Sequence, residues 1–247
     1  MIFDLYSLAF FGIAFVGGLI AVPIGGSFLL IIPAFLLLGL NGLQVLLLSR
    51  IFAVAATGSG SAYFFANHRE HFDWRVIFKF LSGNFIGYIF AAKIATSIDI
   101  ETLTKIIPWI LFIGAIILLR DWKIKKIHHQ KFFAKLLPIF GFLLGFYAGL
   151  GGAPSALIIM LLTLALGWGM HRAIMNTRII EFFGNGIAVA AYLYFGAKFT
   201  GFEFPVILGG LLGGLLGAKS TLKSKPVWLK KAFLVLVLIS AVKITFF

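Results

Sequence analysis

Long apolar stretches alternate with short polar ones along the whole chain, and this pattern predicts membrane helices. Ten apolar segments are present: 3–22, 27–39, 43–66, 73–97, 106–119, 136–150, 153–167, 173–196, 203–218 and 229–247. A helix rises 1.5 Å per residue, so a hydrocarbon core of about 30 Å needs about 20 residues. The second and seventh segments are too short to cross comfortably, and they are either short spans or parts of re-entrant hairpins. The pattern predicts an all-α polytopic membrane protein.

An internal repeat is the second pattern. Ser49-Arg50-Ile51 and Thr177-Arg178-Ile179 stand 128 positions apart, both within apolar segments. Two further blocks repeat in the same order: 72–77 matches 202–207, and Gly25-Gly26 matches Gly151-Gly152. Three blocks in one order predict an internal duplication. We expect a first transmembrane repeat over 1–119, a basic linker over 120–135 and a second repeat over 136–247, with about five segments in each.

Because five is an odd number, the second repeat should enter the membrane from the opposite side, which makes the repeats inverted. Loop charges agree with this arrangement. The linker 120–135 holds six basic residues and one acidic residue, and 219–231 holds five basic residues and no acidic one. Loops rich in Lys and Arg face the cytoplasm, so both are predicted to be cytoplasmic. Counting segments then places 67–79 inside, and 98–105, 197–203 and both termini outside.

Composition excludes several classes of protein. The 247 residues are 61% hydrophobic and only 12% charged, which is far from a soluble domain. The net charge of +13 lies in the loops, where membrane orientation accounts for it, so we expect no nucleic acid as a partner. With no cysteine, disulfides and thiolate metal sites are excluded. The pairs His68/His71 and His128/His129 are in loops without acidic or cysteine neighbours, so we expect no metal and no cofactor.

Each repeated motif places an arginine inside an apolar segment. A charge at bilayer depth costs about 2.5–3.5 kcal/mol on insertion scales, so such residues usually face a cavity or a partner. Arg50 and Arg178 are therefore candidate anion-binding residues, because a guanidinium offers a fork of donors to oxyanions. The neighbouring hydroxyls of Ser49 and Thr177 are candidates for the same site. The alternative is that each arginine extends toward the nearer interface.

Polar residues on the same helical faces extend this candidate site. Glu181 follows Arg178 by three positions, so the two share a face. It is a candidate proton carrier that would couple transport to a proton gradient, or it simply neutralises Arg178. Thr57 and Asn185 follow the two arginines by seven positions and return to the same faces. They could bind a ligand or hydrogen-bond between helices.

Paired glycines precede the two short segments. Gly25 and Gly26 stand before the second segment, and Gly151 and Gly152 stand before the seventh. Glycine permits unwound backbone, and a helix that starts within the membrane directs free N–H groups toward an anion. These glycines are therefore candidate binding residues, and close helix packing is the alternative. Seven other glycines are predicted to pack helices together: Gly83, Gly87, Gly209, Gly210, Gly213, Gly214 and Gly217.

The glycine motifs resemble those of the sulfite exporter TauE/SafE family. Three stretches carry the resemblance: Gly25 to Pro33, Gly149 to Pro154, and His71 to Arg75 followed by Gly83 and Gly87. Ser27 and Ala153 replace a glycine of the usual triplet, and Pro23 stands where glycine is expected. The resemblance covers nearly the whole chain. It implies a secondary transporter that moves small sulfur-containing anions such as sulfite or organosulfonates, generally outward.

Together these patterns predict a carrier that binds an anion near the membrane midplane and rocks one repeat against the other. A passive anion channel and a carrier of a non-sulfur organic anion remain alternatives. An enzyme is not expected, because the buried parts of the segments hold no histidine, aspartate or cysteine. A non-transporting subunit is not expected either, because a scaffold has little need of buried charge. The expected partners are a small anionic solute and the lipid bilayer, with a homodimer left open, and the expected location is the cytoplasmic membrane of a prokaryote.

Overall fold

The described part of the chain consists of helices joined by short connections. The computed structural model describes residues 5–119 and 130–221, and these ranges contain no strand. The helices are α1 Leu5–Ile24, α2 Phe28–Leu37, α3 Gly42–Asn67, α4 Trp74–Ser97, α5 Ile100–Leu119, α6 Gln130–Gly149, α7 Ser155–Ala165, α8 Met170–Tyr194 and α9 Glu203–Ser220. Four of them, α1, α3, α4 and α6, are long and apolar enough to cross a membrane. The predicted all-α polytopic class is confirmed.

Helix bounds differ most from the predicted segments at α5 and α6. Both helices begin six residues earlier than predicted, at Ile100 and Gln130 instead of 106 and 136. The additional residues of α5 include Glu101 and Lys105, which form an ion pair at 2.7 Å across one helical turn. Such charged turns can lie outside the hydrocarbon core, so a helix extends beyond its apolar pattern.

Two predicted loops are consequently shorter than expected. The outer loop predicted over 98–105 is limited to 98–99, and residues 130–135 of the predicted linker are helical. Linker residues 120–129 and the tenth predicted segment, 229–247, lie outside the described residues.

The start of α3 is fixed by local hydrogen bonds. Asn41 and Gln44 form a reciprocal capping box, with bonds of 3.0 and 3.1 Å between each side chain and the other's N–H. The N–H of Gly42 donates to Thr104 Oγ1 at 2.8 Å, which ties this helix start to α5. From there α3 runs for 26 residues, about 39 Å, through the centre of the bundle.

Glycines let helices of the two repeats approach closely. A Cβ added to Gly213 of α9 would collide with the carbonyl oxygen of Phe15 in α1, and one added to Gly83 of α4 would collide with that of Pro138 in α6. Every one of the seven glycines predicted to pack helices faces neighbouring backbone or side chains in this way. The predicted packing role is confirmed.

The same contacts give the direction of each helix. Successive glycines of α9 meet successive residues of α1, in the pairs Gly209–Phe11, Gly213–Phe15 and Gly217–Leu19. These helices therefore run parallel, and the corresponding contacts show that α3 is parallel to α9, and α4 to α6 and α8. In contrast, α3 and α8 are antiparallel, because Arg50 contacts Asn185 while Gly58, further along α3, faces Phe182, earlier in α8.

Inverted repeats follow from these directions. Helices α1, α3 and α9 point one way, and α4, α6 and α8 point the other way. Each helix therefore opposes its counterpart in the other repeat: α1 opposes α6, α3 opposes α8 and α4 opposes α9. A parallel duplication would have kept each such pair in the same direction.

The short helices belong to hairpins whose tips meet. α2 runs back along α1, since Phe10 packs against Phe35 at 5.1 Å between ring centroids while Gly17 faces Ile31. With 10 and 11 residues, α2 and α7 are about 15 and 17 Å long, roughly half of a hydrocarbon core. The first tip, residues 25–27, touches the start of α7, where a Cβ on Gly25 would collide with Ser155.

Candidate functional site

A buried polar face of α8 forms one side of the candidate site. Arg178, Glu181 and Asn185 recur at spacings of three and four residues, so they share one face of the helix. All three are buried among the surrounding helices, and the exposed fractions of Arg178 and Glu181 are 1% and 4%. The predicted alignment of these residues is confirmed.

Arg178 and Glu181 form a buried ion pair. Nη1 of Arg178 donates to Oε2 of Glu181 at 2.5 Å, and the Ser155 hydroxyl donates to Oε1 of the same carboxylate. No protein group among the described residues accepts a hydrogen bond from Nε or Nη2 of Arg178. Nη2 is also the atom that a Cβ on Gly25 would approach to 3.3 Å. Nη2 therefore lies beside the first hairpin tip without an acceptor, and Nε also lacks one among the described residues.

Arg50 has a different environment. Its Nη1 donates to Asn185 Oδ1 at 3.1 Å, and its Nη2 donates to the carbonyl oxygen of Ala148 at 2.6 Å. The guanidinium carbon lies 4.2 Å from the centroid of the Phe28 ring, in cation–π geometry. None of the ion pairs formed within 5–119 and 130–221 includes Arg50, although it is fully buried.

The backbone at the end of α6 explains part of this geometry. The last carbonyl groups of a helix lack intrahelical donors and carry the negative end of the helix dipole. Arg50 donates to Ala148 there, and the Tyr192 hydroxyl donates to the next carbonyl, Gly149, at 2.5 Å. A cation and a hydroxyl therefore satisfy the helix end that leads into the second tip, residues 150–154.

Both arginines lie between the two hairpin tips. Arg50 contacts Phe28, which follows the first tip, and Ala148, which precedes the second. Arg178 lies against Gly25 of the first tip and shares Glu181 with Ser155, which follows the second. Asn185 accepts from Arg50 and lies one helical turn after Glu181, and its amide donates to the Glu181 backbone carbonyl oxygen at 2.7 Å.

Three predicted site hydroxyls bond within their own helices. Ser49 donates to Leu46, Thr57 to Ala53 and Thr177 to Ala173, in each case to a carbonyl oxygen three or four residues earlier. All three are buried, but the structure connects none of them to a neighbouring helix by a hydrogen bond. Their part in binding stays a prediction.

The predicted glycines form the tips. Gly25, Gly26 and Gly151 have φ angles of 77°, 81° and 102°, in the left-handed region where a side chain is strained. A Cβ on Gly152 would collide with the ring of Tyr147. The paired glycines thus permit tight, unwound connections, while Gly151 itself faces the apolar side chains of Leu46 and Ile107.

Several contacts of the site were not predicted from the sequence. Ser155, Phe28 and the Ala148 carbonyl bind the charged side chains directly. Tyr88 of α4 is fully enclosed, with its hydroxyl 3.5 Å from Asn185 Oδ1. A tyrosine in the middle of a glycine-rich apolar segment was a usable signal for Tyr88. No local pattern marks a backbone carbonyl or a phenylalanine as a partner of an arginine.

A second polar cluster joins the repeats at the ends of α3, α4 and α8. The buried Asn176 accepts from the N–H of Asp73 at 2.9 Å and donates to the His71 carbonyl oxygen at 2.9 Å. Arg172 pairs with Asp73 at 3.3 Å and lies over the Trp168 ring at 4.3 Å. This cluster was missed because its partners lie 99 to 105 positions apart in the sequence and meet only through the packing of helices.

The prediction that His68 and His71 have no acidic neighbour is wrong. Glu70 lies within their own 3-10 turn and contacts His71 at 3.5 Å. One ligand atom from each of His68, Glu70 and His71 falls within 4.8 Å of the others. Glu70 stands between the two histidines in the sequence, so this acidic neighbour was already visible there.

Comparisons with known proteins agree with these features. The model of the family described as "Sulfite exporter TauE/SafE" matches residues 10–244. A "Probable membrane transporter protein" of Haemophilus influenzae is 28% identical over 214 residues, covering 85% of this chain and 82% of the relative. A "Probable membrane transporter protein ORF9" of Sinorhizobium sp is 29% identical over 242 residues, covering 94% and 90%. No solved structure shows a significant match. The chain is therefore a multi-pass membrane transporter protein that belongs to the sulfite exporter TauE/SafE family.

Proposed function

We propose that this transporter carries a small sulfur-containing anion, such as sulfite or an organosulfonate, outward across the membrane by alternating access. The observation that carries the proposal is the charge between the hairpin tips. Two guanidiniums with exposed fractions of 0% and 1% are accompanied by one buried carboxylate, Glu181, which pairs with Arg178 alone. A buried charge is costly unless it is paired, so an excess of buried positive charge favours an anionic ligand.

The chemistry of the donors supports an oxyanion. Nε and Nη2 of Arg178 lie on the same side of a planar guanidinium, and they have no protein acceptor among the described residues. Two parallel N–H groups match two oxygens of a sulfonate or sulfite group. Gly25, which has no side chain, lets the first tip approach Ser155 and Nη2 of Arg178 closely. The family description, which names sulfite export, supports the sulfur class and the outward direction.

Glu181 is the candidate for proton coupling in this scheme. Its two oxygens accept from Arg178 and Ser155, so protonation would break an ion pair at the centre of the site. The first repeat has Ala53 at the corresponding position, 128 residues earlier, so only one repeat supplies such a group. The competing role is neutralisation of Arg178 alone.

The location and assembly follow from charge and family. The inverted repeats, the basic linker over 120–135 and the bacterial relatives support a prokaryotic cytoplasmic membrane with that linker inside. The proposed partners are a small anionic solute and the bilayer, and a homodimer stays open. A passive anion channel is the alternative, and it would show unitary conductance instead of saturable flux.

Purified protein in liposomes tests the proposal. Labelled sulfite or an organosulfonate should accumulate with saturable kinetics, and Arg178→Ala should abolish the uptake because the unpaired donors are lost. The matched control is Arg75→Ala, which removes an exposed arginine at the start of α4 and should leave uptake unchanged. Uptake by Arg178→Ala at the wild-type rate would remove Arg178 from the mechanism.

A further inference from the structure

We propose that the site selects anions by charge, accepting a singly charged oxyanion and rejecting a doubly charged one, with Glu181 setting this preference. The inference rests on the proposed anion transport and deepens it, because it names the charge class of the substrate. It concerns the ionised forms of three side chains, and it follows from counting the buried charges that the two hairpin tips enclose.

The charge between the tips has a residual value of one positive unit. Arg50, Arg178 and Glu181 are the buried charged side chains among the described residues. The groups around them, Asn185, Ser155 and Tyr88, are neutral donors and acceptors. Two cations and one anion leave one cation in excess. A monoanion neutralises that excess, whereas a dianion leaves one negative charge buried.

The surroundings make this difference large. Arg50 and Arg178 are enclosed by helices and have almost no exposed surface, so water screens their interactions weakly. At an effective dielectric constant of about 20, the repulsion between two like unit charges about 4 Å apart lowers an affinity by about tenfold or more. One carboxylate beside the ligand therefore has a strong effect on a second ligand charge.

The asymmetry between the repeats identifies Glu181 as the group responsible. Arg50 has only neutral partners, and the position equivalent to Glu181 in its repeat is Ala53. A symmetric site would contain either no carboxylate, with an excess of two positive charges, or two carboxylates, with no excess. One carboxylate in one repeat gives the intermediate charge.

Three proteins with graded site charge test the inference. Glu181→Gln raises the excess to two positive units with nearly unchanged shape. Asn185→Asp lowers it to zero and places a carboxylate where Asn185 Oδ1 already accepts from Arg50. Calorimetry on the purified full chain would measure binding of methanesulfonate, which is singly charged, and of sulfate, which is doubly charged at neutral pH. Glu181→Asp preserves the charge and is the matched control.

The wild type should bind methanesulfonate about tenfold or more tightly than sulfate. Glu181→Gln should shift the ratio of the two affinities by about tenfold or more toward sulfate, Asn185→Asp should shift it away from sulfate, and Glu181→Asp should preserve it.

If Glu181→Gln does not fold, the shift of the affinity ratio in Asn185→Asp tests the charge selection. A ratio that stays constant in every folded variant, or a wild type that prefers sulfate, overturns the charge selection while leaving anion transport intact. A wild type that binds neither these anions nor sulfite overturns the proposed function itself.

Discussion

Two arginines in equivalent positions of a repeated sequence have different electrostatic roles. Arg50 donates to a helix-end carbonyl and an amide and packs on an aromatic ring, so its charge is solvated by neutral groups. Arg178 is neutralised by Glu181 and keeps two nitrogens without a protein acceptor. The structural role of joining helices therefore belongs mainly to Arg50, and the role of presenting donors to a ligand belongs mainly to Arg178.

Substitution by lysine should separate these roles. Arg50 uses two different nitrogens to reach Asn185 and Ala148, and the single ammonium of Arg50→Lys cannot occupy both positions. Each buried acceptor left unpaired costs about 1–3 kcal/mol, so Arg50→Lys should lower the stability measured by thermal unfolding in detergent. Arg178→Lys retains a charge beside Glu181 and should unfold closer to the wild type, while losing anion affinity. Equal losses of stability in the two variants would contradict this division.

Sequence spacing predicts local partners and fails for distant ones. The pairing of Arg178 with Glu181 was predictable because three residues along a helix bring side chains together. The partners of Arg50 lie 98 and 135 positions away, and their identity depends on how two antiparallel helices and a hairpin pack. One of these partners is a backbone carbonyl, which every residue possesses and which no motif distinguishes.

At the scale of helices, the two repeats are interleaved. α1 of the first repeat packs through glycines against α9 of the second, and α4 packs in the same way against α6. At these backbone contacts the helices are packed too closely to slide past each other without losing the contacts. The contacts join α1 to α9 and α4 to α6 across the two repeats, and the predicted rocking of one repeat against the other stays a prediction.

The polar cluster at the start of α8 offers a test of what joins the repeats at that end. Asn176 is fully buried and bonds the Asp73 N–H and the His71 carbonyl oxygen. Asn176→Leu should cost about 1–3 kcal/mol of unfolding free energy for each buried group left unpaired. Asp73→Asn removes the half-exposed ion pair with Arg172, should cost no more than about 1 kcal/mol, and can keep the α4 cap to Val76. Denaturant titration in detergent would measure the loss of unfolding free energy in each variant. We expect the larger loss in Asn176→Leu, and a larger loss in Asp73→Asn would show that the ion pair is the stronger connection.

The order of the helices was predictable because apolar segments are long and separated by charged loops. Their ends were less predictable, since α5 and α6 extend into regions whose charges suggested loops. The inversion was predictable from an odd number of segments together with loop charge. The meeting of the hairpin tips was not, because it depends on the tertiary position of Gly25 against Ser155.

For the whole molecule, the inverted arrangement places the ends of counterpart helices on opposite sides of the membrane. α3 and α8 are antiparallel, so the turn that follows α3 and the loop that follows α8 should face different compartments. Glu70 and Lys198 are exposed residues in these two regions. The natural chain contains no cysteine, so single cysteines can be introduced at these positions without removing any other thiol.

A membrane-impermeant maleimide applied to intact cells should therefore modify Lys198→Cys and leave Glu70→Cys unmodified, because loop charges place 67–79 inside and 197–203 outside. After permeabilisation both variants should react, and the cysteine-free wild type should react in neither case. Modification of Glu70→Cys alone would reverse the orientation but keep the inversion, since the two positions would still face different compartments. Modification of both variants in intact cells would mean that α3 and α8 end on the same side, which is incompatible with inverted repeats and with an anion site assembled from two oppositely directed hairpins.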